Sequence, residues 1–432
     1  MKFEFCLWGM SLLLLFPVRS PAVDFSDRAV MTFEAKGGMS KESTGLTQPR
    51  DFERVIRDFA AARHDMATNN AVRFNVPFPA EAELFFRAAE TGTWEMVSNR
   101  FDRLKPSGDY GPVSPALRNG LWASVHETFG IWEIWEGWKH DSALLAMVYE
   151  PIMAGLPKGS IYFGGTDYGR FVITTASALR NPPPLYVITQ NALADNTYLD
   201  HVRALYGTSI WVPSLADSAA AFQRYVDEVK SGVRKANSQI KMVNGRVTVA
   251  GVAGVMELNG ILAGMIVEHN KDAHPFFVEE SYIIEWMYPY LQPHGLVMSL
   301  NPSKLDRLPE DVIARDTAFW AEYEKKLFAQ PTFETNTEAR KAFSKMRTAI
   351  AGLYAYRKLN ASAVAAFQQA IRLYPDSPEA FFRLAKLYEE AGQFTDAVKT
   401  LEAFIARKPP FGLEKAEEYL KALREGREKL KG

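Results

Sequence analysis

Near the C-terminus the chain repeats itself at a spacing of 34 residues. Tyr354 aligns with Tyr388, Ala363 with Ala397, Phe367 with Leu401, Ala370 with Phe404 and Pro375 with Pro409. Small residues at 351/385 and 363/397 let two helices approach closely, and large ones at 354/388 and 367/401 fill the space between them. The prolines stop the second helix of each pair. Such a unit buries its apolar face only on a neighbour, so two units need something at each end. Downstream, Leu413, Ala416, Leu420, Leu423 and Leu430 form the stripe of a capping helix. Upstream, the first unit is expected to dock on a long helix over 311–328 or on the domain that contains it.

The period and the pattern Phe381, Leu384, Ala385, Tyr388, Gly392 resemble the tetratricopeptide repeat. The first unit departs from it, because Arg347 stands where a large apolar residue is usual. The resemblance implies a concave groove lined by the first helices, with Lys345, Thr348, Gly352, Glu379, Phe382 and Lys386 facing a protein or peptide partner. These are not the Lys/Asn/Arg residues that clamp a peptide carboxylate, so no such clamp is expected. A purely architectural role is the other reading.

The remaining 340 or so positions are read from periodicity. Residues 1–22 resemble a signal peptide: Lys2 is basic, 6–18 are mostly apolar, and Ser20 and Ala22 suit cleavage before Val23. The expected location is exported, periplasmic or secreted. No later segment is apolar enough to span a membrane, so no integral membrane segment is expected after cleavage. Cys6 is the only cysteine; the mature chain would have neither disulfides nor thiolate ligands. Residues 23–155 are expected to be mostly helical, after a loop-like stretch over 23–48. In that region Phe52, Val55, Ile56, Phe59 and Ala60 recur at helical spacing. Residues 156–330 alternate between strand and helix texture, with strands at 160–163, 185–189, 276–278 and 296–300. Helices are expected over 168–179, 193–206, 214–230, 254–269, 283–291 and 311–328, and a hairpin over 241–249. The fold class is therefore an α/β layered sheet domain, preceded by a helical N-terminal region and followed by an all-α repeat module at 340–432. Residues 329–339 read as a linker.

No catalytic constellation emerges, and an enzyme is the less favoured reading. The 50 basic and 51 acidic side chains leave a net charge of −1, which offers no field for nucleic acid. The sharpest segment is 163–171, FGGTDYGRF, which leaves a strand and opens a helix. Backbone N–H groups at such a turn suit an anion, with Arg170 assisting. Alternatively the glycines only permit a tight turn and Asp167 caps the helix. The next strand ends in TQNALADN, with Asp195 or Asn196 placed to cap a helix. Ligands gather at the carboxyl ends of strands, so Asp167, Arg170, Asn191, Asp195 and Glu280 form a tentative ligand set, with Glu279 and Ser281 beside it. Turn and cap contacts explain each of them singly. No cofactor and no metal are expected: His126-Glu127 lacks the second histidine of a zinc helix, because position 130 is glycine. Trp132, Trp135 and Trp138 share one helix side, where core packing is favoured over sugar stacking.

Residues 163–171, 187–199 and 279–296 together resemble the soluble extracytoplasmic domain of bacterial protein O-mannosyltransferase-like membrane proteins. The resemblance covers about 155–300, and its polar turn matches at Thr166, Asp167, Asn191 and Asp195. It implies a standalone accessory domain, here fused to a repeat pair. Because that family's transfer chemistry sits in its membrane part, no catalytic residue is carried over. A binding or scaffolding component of the cell envelope is implied, with a sugar- or metal-binding, carbohydrate-active domain as the alternative and a glycan as a second partner class.

Overall fold

A computed structural model of the protein describes residues 49–104, 121–178, 180, 183–233, 240–243, 246–249, 252–279 and 284–429. The signal-like segment, the loop-like stretch to 48, Glu280, Ser281 and Leu430 lie outside these residues. Five helices come first: α1 (Pro49–Arg73), α2 (Ala80–Thr91), α3 (Trp94–Leu104), α4 (Leu121–Gly137) and α5 (Ser142–Gly155). The periodic face of α1 is fully used: Phe52, Val55, Ile56, Phe59 and Ala60 are all buried. Trp132, Trp135 and Trp138 lie in the same core, with Trp132 Nε1 donating to Ala89 O at 3.2 Å. The indole polar atom is thus satisfied inside an apolar layer.

The middle of the chain holds β1 (Ser160–Gly164), α6 (Ile173–Ala178), β2 (Leu185–Thr189), α7 (Asn196–Tyr206), α8 (Leu215–Lys230), the hairpin β3 (Ile240–Val243) and β4 (Arg246–Val249), α9 (Val252–Asn270), β5 (Phe276–Glu279), β6 (Leu291–His294) and β7 (Val297–Leu300). A small mixed five-stranded sheet runs β2-β1-β5-β7-β6, parallel across β2, β1 and β5 and antiparallel thereafter. Helices dominate around it, so the α/β reading holds only in this coarser form. The helix expected over 283–291 is replaced by a 3-10 turn, Glu285–Tyr290, running into β6. Pro289 lacks an N–H and disfavours a continuous α-helix. β6 tolerates Pro293 because it is an edge strand.

Helix α10 (Glu310–Phe328) leads into α11 (Thr337–Tyr356), α12 (Asn360–Leu373), α13 (Pro378–Glu390), α14 (Phe394–Ala406) and α15 (Leu413–Lys429). The small and large repeat positions interlock as the 34-residue alignment requires. Ala351, Tyr354, Ala363, Phe367, Ala385, Ala397, Leu401 and Phe404 are all buried. Ala416, Leu420 and Leu423 of α15 close the C-terminal end. Residues 329–339 differ from the expected linker: Phe333 and Ala339 are fully buried, and Asn336 caps α11 through Ala339 N at 3.0 Å. Asn336 also donates to Trp138 O at 3.0 Å, which fastens the segment to the end of α4.

The first repeat docks on α10 through a buried ion pair. Arg347 Nη1 donates to Asp316 Oδ2 at 2.7 Å, and Tyr354 Oη donates to the same oxygen at 2.7 Å. The Arg347 guanidinium also lies 5.2 Å from the Trp320 ring centroid. Gln369 and Arg372 of α12 reach Glu324 of α10. Helix α10 therefore lies against both helices of the first repeat, as a preceding repeat would. Arg347, the departure from the repeat pattern, is the residue that makes this junction.

Candidate functional site

The parallel strands β2, β1 and β5 bring their carboxyl ends to one edge. There the chain places its own carboxyl group, that of Glu279. Thr166 Oγ1 donates to Glu279 at 2.8 Å, and Gly169 N donates back to Thr166 Oγ1 at 3.1 Å. Gly165 N donates to Glu279 O at 3.0 Å, and Asn191 Nδ2 donates to Gly165 O at 3.1 Å. The turn that follows, Tyr168–Val172, is a π-helical turn, a rare conformation that local packing must hold in place. Glycine at 169 is required here, because a Cβ would overlap the Glu279 carboxylate. Burial pushes the Glu279 carboxyl up, while hydrogen bonds from Thr166 and the nearby Lys345 ammonium pull it back.

The sequence-predicted ligand residues have distinct places. Arg170 is buried and donates to Asp167, whose carboxylate is largely exposed, at 2.6 Å. Asn191 joins the strand edge, as described. Asp195 caps α7, accepting from Thr197 N at 2.8 Å, and burial raises its pKa. Among the described residues, no group of three or more His, Cys, Asp or Glu side chains is placed to hold a metal ion.

A buried polar cluster escaped the sequence reading. Glu127 of α4 accepts from Arg63 of α1 at 2.5 Å and lies 3.2 Å from His201 Nε2 of α7. It ties three helices together. The partners are 64 and 74 residues away in the chain, and no periodicity reports such a pairing; the adjacent His126-Glu127 dipeptide was the only trace.

Two residues of the predicted groove lie near the strand-edge region. Lys345 lies in electrostatic reach of Glu279, and Glu379 in reach of Tyr168 and Tyr288. Thr348 is only 1% exposed. It therefore does not line an open groove, which corrects that expectation for the first repeat; its side chain is covered by packing. Along α13, Phe382 is half-buried and Lys386 exposed, so the second repeat keeps an accessible face.

A tetratricopeptide-repeat family model matches residues 358–410, which span α12 to α14. The match thus holds the second helix of the first pair and the complete pair α13–α14. Neither characterised proteins nor solved structures give a match, so the resemblance to the O-mannosyltransferase-like proteins has no homologue behind it. No helix among the described residues is long and apolar enough to cross a membrane.

Proposed function

We propose that the chain is an exported adaptor of the cell envelope, which holds a protein partner on the accessible face of its second repeat. The observation that carries this is the contrast along the repeat face: Thr348 is covered, whereas Lys386 is exposed beside a half-buried aromatic, Phe382. A few aromatic and charged side chains carry most of the energy of protein recognition, and the part of Phe382 not packed on Phe404 is open beside Lys386. The repeat match at 358–410 supports an interaction or scaffolding role. The composition of residues 1–22 supports export.

Deleting the module is a poor test, because a cut at 340 falls inside α11 and strips the cover from α10. Point substitution avoids this. A tagged full chain, cross-linked in its host and recovered from the exported fraction with Val23 as its first residue, is expected to carry a specific protein partner. The Phe382→Ala/Lys386→Glu variant should lose that partner about tenfold or more, since a central aromatic anchor is worth about 2 kcal/mol. Equal recovery of the same proteins by both forms, or a chain retained inside the cell with Met1 intact, would overturn the proposal.

A further inference from the structure

The junction between α10 and the first repeat has an open side. A groove of about 540 Å³ lies between α10 and α12, with Arg347 of α11 among the residues that line it. Four of its lining residues are small: Thr317 and Ala321 on α10, and Ser362 and Ala365 on α12. None of these four is buried. From Thr317 to Phe328 the groove follows about 16 Å of helix, the length of about five extended residues. Phe328, the last lining residue on α10, keeps its ring 36% exposed.

Arg347 meets this groove with a guanidinium that the fold uses only in part. Its side chain is 4% exposed. Asp316 takes one arm, Nη1, at 2.7 Å, and Nε is buried with no hydrogen-bond partner. A buried donor without a partner is costly to a fold and calls for an explanation. A guanidinium suits a carboxylate because its N–H groups form a planar fork, from which two oxygens can accept at once. The other charges along the groove favour the same ligand. Lys325, Arg347 and Arg372 are cationic, and Glu324 alone is anionic. Glu324 pairs with Arg372 at 2.7 Å. Lys325 has only an exposed pairing with Glu322 at 3.7 Å, which holds it weakly.

We propose that the α10–α12 groove is a second docking surface, which takes a short extended segment of an acidic partner protein, with one carboxylate on Arg347 and an apolar neighbour against Phe328. The small lining residues let a backbone come close to both helices. Asp316 keeps its place, so the ion pair that joins α10 to the first repeat becomes part of the site: it orients the guanidinium that the segment reads. The surface lies on α10 and α12, and it stands whether or not the α13 face holds a partner.

The probe is a bead library of acetylated pentapeptides with glutamate fixed at the centre and the other four positions varied. It is screened with the labelled full chain against the same library carrying glutamine. The parent should enrich the glutamate beads, and the best binder, titrated by anisotropy, should be held about tenfold or more tightly than its glutamine counterpart. Ala321→Trp/Ala365→Trp fills the groove from two exposed positions and should remove the binding. Arg347→Lys keeps a positive charge for Asp316 but has no fork, and should weaken the peptide about tenfold. No preference for glutamate, binding that survives the two tryptophans, or unchanged affinity in Arg347→Lys overturns the proposal. Melts followed by circular dichroism establish that each variant is folded. Should Arg347→Lys not fold, the tryptophan pair and the glutamine library decide alone. Self-association of the parent that the tryptophan pair abolishes would seat a second copy in the groove. Displacement of the peptide by less inorganic phosphate than glutarate would assign a free anion. Either result also overturns the acidic segment.

Discussion

Replacing Asp316 with alanine should lower the stability of the chain by about 3–5 kcal/mol, the usual cost of stranding one member of a buried ion pair. The Asp316 and Arg347 side chains are 1% and 4% exposed. Without its carboxylate partner, Arg347 keeps a buried charge beside the Trp320 face, with Glu324 in electrostatic reach but no direct ion pair to replace the lost one. Tyr354 also loses the oxygen it donates to. Tyr354→Phe, which removes one hydrogen bond and no charge, should cost only about 1 kcal/mol. Removing both charges together, with Asp316→Leu/Arg347→Leu, should recover most of the loss, because well-packed apolar pairs often match buried ion pairs. Urea denaturation read at the tryptophans measures all three. A loss below about 1 kcal/mol for Asp316→Ala would mean that the junction is not closed as described.

Acid should weaken the protein well before its surface carboxylates titrate. His126 lies between Trp122 and Phe171. Burial, and then the Arg170 charge, hold its pKa down at about 3, against the opposing pull of Asp167 and Glu127. The folded chain therefore binds fewer protons than the unfolded chain between the ordinary histidine pKa and about 3. Stability is fully present above about pH 6.5 and is lost as pH falls through that window. By pH 4 the loss is about 2–3 kcal/mol, allowing for partial solvent access to the half-buried ring. Glu127 adds to it at lower pH. Burial alone would raise this carboxyl, but Arg63 and His201 outweigh it and hold it at about 2. Its contribution is present above the ordinary glutamate pKa and declines between about 4.5 and 2. In urea titrations from pH 7.5 to 4, His126→Gln should flatten the upper part of the decline. Parallel curves for parent and variant would show that His126 does not carry it.

These two sites mark where sequence reading stops. The repeat positions, the strands β1, β2 and β5 and the cap at Asp195 are local patterns, and all are found in the fold. Arg347 was legible as an anomaly, but its partner Asp316 lies on the preceding helix and nothing in the period points to it. Glu127 was legible only as a failed metal motif, since its partners are brought in by tertiary packing. The strand edge was recognised as polar, yet the pairing of Thr166 with Glu279 depends on β1 and β5 being neighbours, which alternation does not determine. β6 was missed because a four-residue edge strand containing a proline has no period to detect. That Thr348 is covered depends on tertiary packing around α11, which the repeat period does not report.

Thiol accessibility tests the closed first repeat most directly. Cys6 is the only cysteine, so Cys6→Ser gives a thiol-free background in which Thr348→Cys and Lys386→Cys can be compared. Under native conditions the cysteine at 386 should react with an aromatic disulfide reagent as a free surface thiol does. The cysteine at 348 should react at least about 100-fold more slowly, since it must wait for local opening. Rates within about threefold of each other would contradict a covered first repeat beside an accessible second one.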